Sequence, residues 1–195
     1  MRCFAAVEVA SPAVRQALAA ACDHLRRVLG GSASQVKWVP SHQFHFTLRF
    51  FGELDPAQVE AAAAALQRAA AETPPFSLTV AGLGAFPNPS RPNVIWAGTG
   101  AGQARLVALA RRLEDALAEA GFEREARPFK PHLTLGRVRQ GADLGPLLRE
   151  HLTRPPETYG TWQVDRIVLM QSVLLPAGPR YSVLAAAALT GAVGG

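Results

Sequence analysis

Two stretches of this chain share one pattern: His45-Phe46-Thr47-Leu48 and, 87 positions later, His132-Leu133-Thr134-Leu135. Both sit in runs rich in β-branched and aromatic residues, so both read as strands. In a strand, residues two apart point to the same face. His45 then shares a face with Thr47, and His132 with Thr134. Phe46, Leu48, Leu133 and Leu135 point the other way and anchor each strand in a core. Two histidines facing each other across a groove can run acid–base chemistry near neutral pH, one neutral and accepting a proton, the other protonated and donating one. Threonine hydroxyls can donate hydrogen bonds to phosphate oxygens and steady charge in a transition state. A cyclic phosphate ester suits such a groove. One histidine activates water, the other protonates the leaving ribose oxygen, and no metal is needed.

Chance is a weak account of the pair. Five histidines and nine threonines in this chain predict about 0.2 H-x-T triplets. There are three, and the third serves as a control. His151-Leu152-Thr153 falls at the end of a short helical stretch before two prolines, with Arg154 where the others have leucine. It reads as incidental, with His151 favourable near a helix C-terminus. One H-x-T strand alone would be read as a half-buried histidine satisfied by a neighbour; two matching strands with matching leucines would not. A metal site has little support. His42 and His45 are three apart and face opposite sides of a strand, no carboxylate accompanies either motif, and threonine is a poor zinc ligand. No elbow motif supports a serine or cysteine nucleophile.

The elements that must hold these residues alternate along the chain. Met1 to Val9 reads as a strand. Ser11-Pro12 starts a helix that stops at Gly30-Gly31, and Asp55-Pro56 starts an alanine-rich helix running to about Ala71. Strands are expected at QVKWV, FHFTLRFF, FSLTVAGLGAF, NVIWAG and PHLTLGRV, with PNPSRP as a turn. Leu106, Leu109, Leu113 and Leu117 form the buried stripe of a helix between Gly100 and Gly121. A short helix near Leu144 to His151 follows, then two late strands, WQVDRIVLMQSVLL and YSVLAAAAL, and a frayed tail. No Gly-rich phosphate loop follows any strand, so a dinucleotide fold has no support. The order doubles: strand, helix and motif strand in each half. That predicts an α+β fold of two similar lobes sharing one groove. Residues 1–190 are expected to form a single bilobal domain, and 191–195 a flexible tail.

Hydrophobic residues make up 49% and charged residues 18%, enough for a buried core. The net charge of +5 and a pI of about 10 favour an anionic partner, nucleic acid first, although the basic residues are scattered. Two cysteines are too few for a disulfide framework and fit a reducing cytosol. No signal sequence or membrane span is expected.

WVPSHQFHFTLRFFGEL and FKPHLTLGRV resemble the two signature regions of the 2H phosphoesterase superfamily, and within it the RNA 2',3'-cyclic phosphodiesterase (2'-5' RNA ligase-like) family. The likeness extends to FAAVEV, GLGAFPNPSRPNVIWAG and LMQSVLLPAGPRYSVL, and so to nearly the whole chain. It implies two pseudo-symmetric lobes, each a mostly antiparallel sheet with flanking helices, around a basic central cleft. It implies His45 as general acid, His132 as general base, and Thr47 and Thr134 on the phosphate. It implies hydrolysis of cyclic phosphates on RNA ends or nucleotides to 2'-phosphates. The family often has arginine before the Pro-His of the second motif, where this chain has Lys130, which keeps the charge and loses the bidentate fork. Arg137 is a further phosphate ligand on condition that its strand ends or bulges, since five residues after His132 it faces the opposite side of an ideal strand. Trp38, Phe50 and Tyr181 are candidates to stack a base. No cofactor and no membrane are expected, and the protein is expected to act as a monomer in the cytoplasm. Two other functions stay open: ligation of RNA halves through a 2'-5' bond by the reverse chemistry, and a non-catalytic RNA-binding module, although the aromatic pattern of the common RNA-binding sheet is absent.

Overall fold

The computed structural model describes residues 1–176 and 178–192. Strand β1 (Arg2–Glu8) buries Cys3, Ala5 and Val7 on one face and Phe4 and Ala6 on the other. Helix α1 (Pro12–Leu29) starts and stops where its caps predict. Ser11 accepts a hydrogen bond from the Val14 N–H at 3.3 Å, and Gly30, at φ 54°, ends it. Strands β2 (Val36–Trp38) and β3 (His45–Glu53) lead to α2 (Pro56–Ala71). A reciprocal capping box opens α2: the Gln58 N–H donates to the Asp55 carboxylate, and the Asp55 N–H to the Gln58 side chain. The hairpin β4 (Phe76–Asn88) and β5 (Arg91–Thr99) precedes α3 (Gln103–Glu119), which buries the four leucines of its stripe. Then come β6 (Leu133–Val138), α4 (Gly145–Leu152), β7 (Thr158–Val164), β8 (Arg166–Leu175) and β9 (Gly178–Ala188).

Among the described residues the strands form an antiparallel sheet in the order β7-β4-β5-β6-β3-β1-β8-β9, with β2 also paired to β6. It works as two half-sheets. One is β7, β4, β5, β6 and β2; the other is β3, β1, β8 and β9. Their ladder contact is a single residue pair, Phe46 opposite Leu133. Helices α1 and α4 pack together and onto β7 and β4, while α2 packs onto β8 and β9 and against α3, which touches both β3 and β4. Helix α1 thus leaves β1 to cover the opposite half-sheet, and α3 leaves β5 to bridge the two halves. These helices tie the lobes together, and the main cluster of buried side chains runs through both.

Two expectations change. WQVDRIVLMQSVLL is two strands: β7 pairs with β4 at one edge, and β8 pairs with β1 in the other half. The chain breaks at Asp165, whose carbonyl accepts from the Leu189 N–H at 2.7 Å. No glycine or proline marks the break, and apolar residues continue beyond it in Ile167 to Met170, so the sequence pattern hides it. The expected free tail is partly docked. Thr190 and Gly191 donate backbone hydrogen bonds to Ala70 and Thr73, and a Cβ on Gly191 would lie 2.6 Å from the backbone of Glu72. Val193–Gly195 lie outside the described residues.

Candidate active site

The register of β3 against β6 assembles the site. With Phe46 opposite Leu133, the middle residues of the two motifs meet at the junction of the half-sheets. Antiparallel pairing then sets His45 across from Thr134 and Thr47 across from His132, about a local two-fold axis. Phe46, Leu133 and Leu135 are fully buried beneath, with Leu48 nearly so, while all four polar residues stay partly open.

Each imidazole is held the same way. His45 Nδ1 lies 2.7 Å from the Gln43 carbonyl oxygen, and His132 Nδ1 lies 2.7 Å from that of Lys130. A carbonyl only accepts, so Nδ1 carries the hydrogen and donates it. That leaves Nε2 on each ring as the nitrogen able to take or give a proton. Aromatic rings brace both. Phe4 lies 5.0 Å from the His45 ring and Tyr181 stands edge-on at 5.6 Å, while Phe86 stands edge-on to His132 at 4.9 Å. Phe86 is itself against Trp96, whose indole occupies space that only Gly84 leaves: a Cβ there would be 2.3 Å from the ring.

The environments of the two histidines differ. Burial pushes the His45 pKa below the ordinary histidine value, with the charges of Arg137 and His132 acting in the same direction; the Gln43 hydrogen bond and Glu8 oppose them. Burial also raises the Tyr181 phenol, against the charges of Arg137 and Arg2.

A bulge in β6 brings Arg137 to the groove. Ile95 pairs with Gly136 and Trp96 with Thr134, so Leu135 is an extra residue and the alternation inverts beyond it. Gly136 fits beneath β2 because it has no side chain: a Cβ would lie 2.7 Å from Val36 and 3.2 Å from Trp38. Strand β3 does the same at the matching position. Ala6 pairs with Thr47 and Ala5 with Arg49, leaving Leu48 extra, and Phe50 joins the groove face. Phe50 and Arg137 each follow their histidine by five residues. The symmetric scaffold therefore presents an aromatic ring on one side and a guanidinium on the other.

A cavity of about 400 Å³ opens here, within the size range of small-molecule sites. His45, Thr47, Thr134, Arg137, Phe50, Tyr181 and Trp38 all line it. Sequence reasoning missed Arg2 and Lys37, which also line it and add two cations. Arg2 sits over the Phe50 ring at 4.9 Å. The signal for Lys37 was the pairing of β2 with β6, which sets it beside Arg137; isolated lysines carry no such mark. Lys130, expected as a phosphate ligand, is exposed and outside the cavity lining; its contribution is the carbonyl that orients His132. His132 borders the cavity through Thr134 without being part of its wall. The control histidine, His151, lies in a separate cleft against His24, ring nitrogens 3.2 Å apart. Among the described residues no group of three or more histidine, cysteine, aspartate or glutamate side chains is placed to hold a metal.

This geometry defines a class: a two-lobed sheet with one H-x-T strand from each lobe. A family profile described as the 2'-5' RNA ligase superfamily matches residues 10–173, and the chain belongs to that family. It is 35% identical over 184 residues to the RNA 2',3'-cyclic phosphodiesterase of Thermotoga maritima, covering 94% of this chain and 93% of the relative. It is 36% identical to that of Thermus thermophilus, covering 98% and 91%. Among solved structures, TT0787 of Thermus thermophilus superposes with a TM-score of 0.79 at 33% identity, covering 98% of this chain and 99% of that one. E. coli LigT complexed with 3'-AMP gives 0.73 at 27% identity, covering 97% and 98%.

Proposed function

We propose that this protein hydrolyses 2',3'-cyclic phosphates on RNA ends and nucleotides, leaving 2'-phosphates, by acid–base catalysis between His45 and His132. The observation that carries this reading is the matched pair of imidazoles, each with Nδ1 committed to a carbonyl and Nε2 left available, on strands paired through their motif centres. His132 draws a proton from water as the water attacks phosphorus. His45 gives a proton to O3' as that bond breaks. Thr47, Thr134 and Arg137 hold the phosphate oxygens, and Arg137 supplies the positive charge that the equatorial oxygens require. Burial that favours neutral His45 makes its imidazolium a stronger acid than an ordinary histidine's, which suits the donor. Trp38, Phe50 and Tyr181 offer faces for the base. Lys130 acts through its carbonyl, which holds the His132 ring.

No metal enters this scheme. Residues 1–190 act as one bilobal domain, as a monomer. Cys3 and Cys22 are both buried and unpaired, which fits a cytoplasmic setting. The relatives' phosphodiesterase names support hydrolysis over a non-catalytic RNA-binding role. The test is incubation of chelator-treated protein with 2',3'-cyclic nucleotides and with RNA ending in a cyclic phosphate, alone and beside RNA bearing a 5'-hydroxyl. Hydrolysis in both settings is expected. Joined strands in place of hydrolysis would favour 2'-5' ligation, and turnover that requires added zinc or manganese would contradict the scheme.

A further inference from the structure

A second, smaller cavity of about 220 Å³ adjoins the first, with His45, Gln43 and Tyr181 as the shared wall. Glu8, His42, Met170 and Arg180 complete much of its lining. Arg180 is exposed and has no ion-pair partner among the described residues. It lines this cavity together with Tyr181, the ring that braces His45. Glu8, the one carboxylate in the lining, is 3.3 Å from Arg166 and pairs across the ladder with His45. The volume lies below that of sites for whole small molecules, so it suits part of a nucleotide.

The direction of the reaction says which part. This inference rests on the function proposed above. Water attacks from the His132 side, and in-line displacement puts the leaving O3', and therefore the ribose, on the His45 side. The RNA chain continues from that ribose through its 5' oxygen, so it too runs on the His45 side. The cavity of about 400 Å³ takes the terminal nucleoside. The next piece of chain is the penultimate ribose and the phosphodiester that joins it. We propose that the smaller cavity binds this penultimate ribose-phosphate, with Arg180 on the phosphodiester, supported by His42, and Glu8 accepting a hydrogen bond from the ribose 2'-hydroxyl. A guanidinium is the fitting group for a phosphate and a carboxylate for a hydroxyl; a plain anion site would have no use for Glu8. The substrate class is then an RNA end of at least two nucleotides, read as RNA at the penultimate position.

The experiment compares kcat/KM for a 2',3'-cyclic mononucleotide with that for a dinucleotide ending in the same cyclic phosphate. Wild-type protein is expected to prefer the dinucleotide by about ten-fold or more, the scale of one charge-assisted hydrogen bond. A neutral methylphosphonate in place of the internucleotide phosphate should bring the ratio back toward one. Arg180→Gln should do the same with the ordinary dinucleotide. A 2'-deoxyribose at the penultimate position should lower the ratio in wild-type protein and leave Glu8→Gln less affected. A wild-type ratio near one, or a ratio that survives both the methylphosphonate and Arg180→Gln, would overturn the second subsite while leaving the proposed hydrolysis intact. Turnover of neither substrate would instead overturn the hydrolysis, and this inference with it.

Discussion

His45 and His132 are equivalent in scaffold and unequal in surroundings, and the account needs both properties. Removing either takes away one proton-transfer partner, a loss of about 10²–10⁴-fold in rate. His45→Ala and His132→Ala should therefore each reduce kcat on a cyclic nucleotide by that factor while keeping the wild-type circular dichroism. His151→Ala, in the separate cleft with His24, should keep wild-type turnover; a large loss there would mean that the wrong pair has been chosen. The burial that lowers the His45 pKa has two consequences of definite sign. For activity, the limb of kcat/KM that needs His45 protonated should fall at a pH below the ordinary histidine value of about 6.5. Bound phosphate favours the imidazolium, so the matching limb of kcat should lie at higher pH. Coincident or reversed limbs in the two pH profiles would contradict this. For stability, the unfolded chain binds more protons than the folded one between the lowered native pKa and about 6.5. The contribution of His45 is present above that window and is lost as pH falls through it. The residue pattern was legible from the spacing of the motifs alone, and the structure sets His151 apart from it, in the cleft with His24. The placements of Lys130 and Lys37 were not, because whether a lysine lines the cavity or only its carbonyl reaches the site depends on pairings distant in sequence.

Bulges decide which side chains of β3 and β6 reach the groove. Strict alternation sends Phe50 and Arg137 to the wrong face; the extra residues Leu48 and Leu135 bring them back. Nothing in the local sequence marks a bulge except Gly136, and a glycine in a strand has several explanations. This is why Arg137 could be assigned from sequence only on a condition. Gly136→Ala is expected to cost about 1–3 kcal/mol of stability by overpacking against Val36 and Trp38. It should also lower kcat/KM out of proportion to the unfolded fraction, because Arg137 shifts with the bulge. Asp55→Ala provides the contrast: loss of the α2 capping box should cost about 1 kcal/mol and leave kcat unchanged. Urea denaturation of each variant beside steady-state kinetics separates the two cases. Caps and amphipathic stripes were legible for α1, α2 and α3, because those signals are local. The break between β7 and β8 was not, because its cause is pairing with strands on opposite sides of the sheet.

The two lobes meet at one ladder pair, so the alignment of the site depends on the core beneath it. Phe46 is fully buried and stacks on Trp162, with ring centroids 6.4 Å apart. Phe46→Ala should cost about 3–5 kcal/mol and reduce activity along with it, unlike the histidine variants, which should reduce activity alone. Arg49 also joins the lobes. It donates from β3 to Glu114 on α3 at 3.0 Å and to the Glu123 carbonyl at 2.6 Å, bracing the segment that leads to His132. The doubling of strand, helix and motif predicted two lobes with a shared groove. It did not predict that α1 would cover the half-sheet of the other lobe or that α3 would bridge β3 and β4, since helix docking is set by apolar faces that match many partners.

The reaction itself is tested most directly by the product. Chelator-treated protein is given a 2',3'-cyclic mononucleotide, and phosphorus NMR follows the two possible monophosphates. With His45 as the acid facing O3' and His132 activating water from the opposite side, the phosphate stays on O2', and 2'-phosphate should be the main product at the untreated rate. A product that is chiefly 3'-phosphate would reverse the seating of the ribose against His45, and no turnover without added metal would contradict the paired-histidine mechanism.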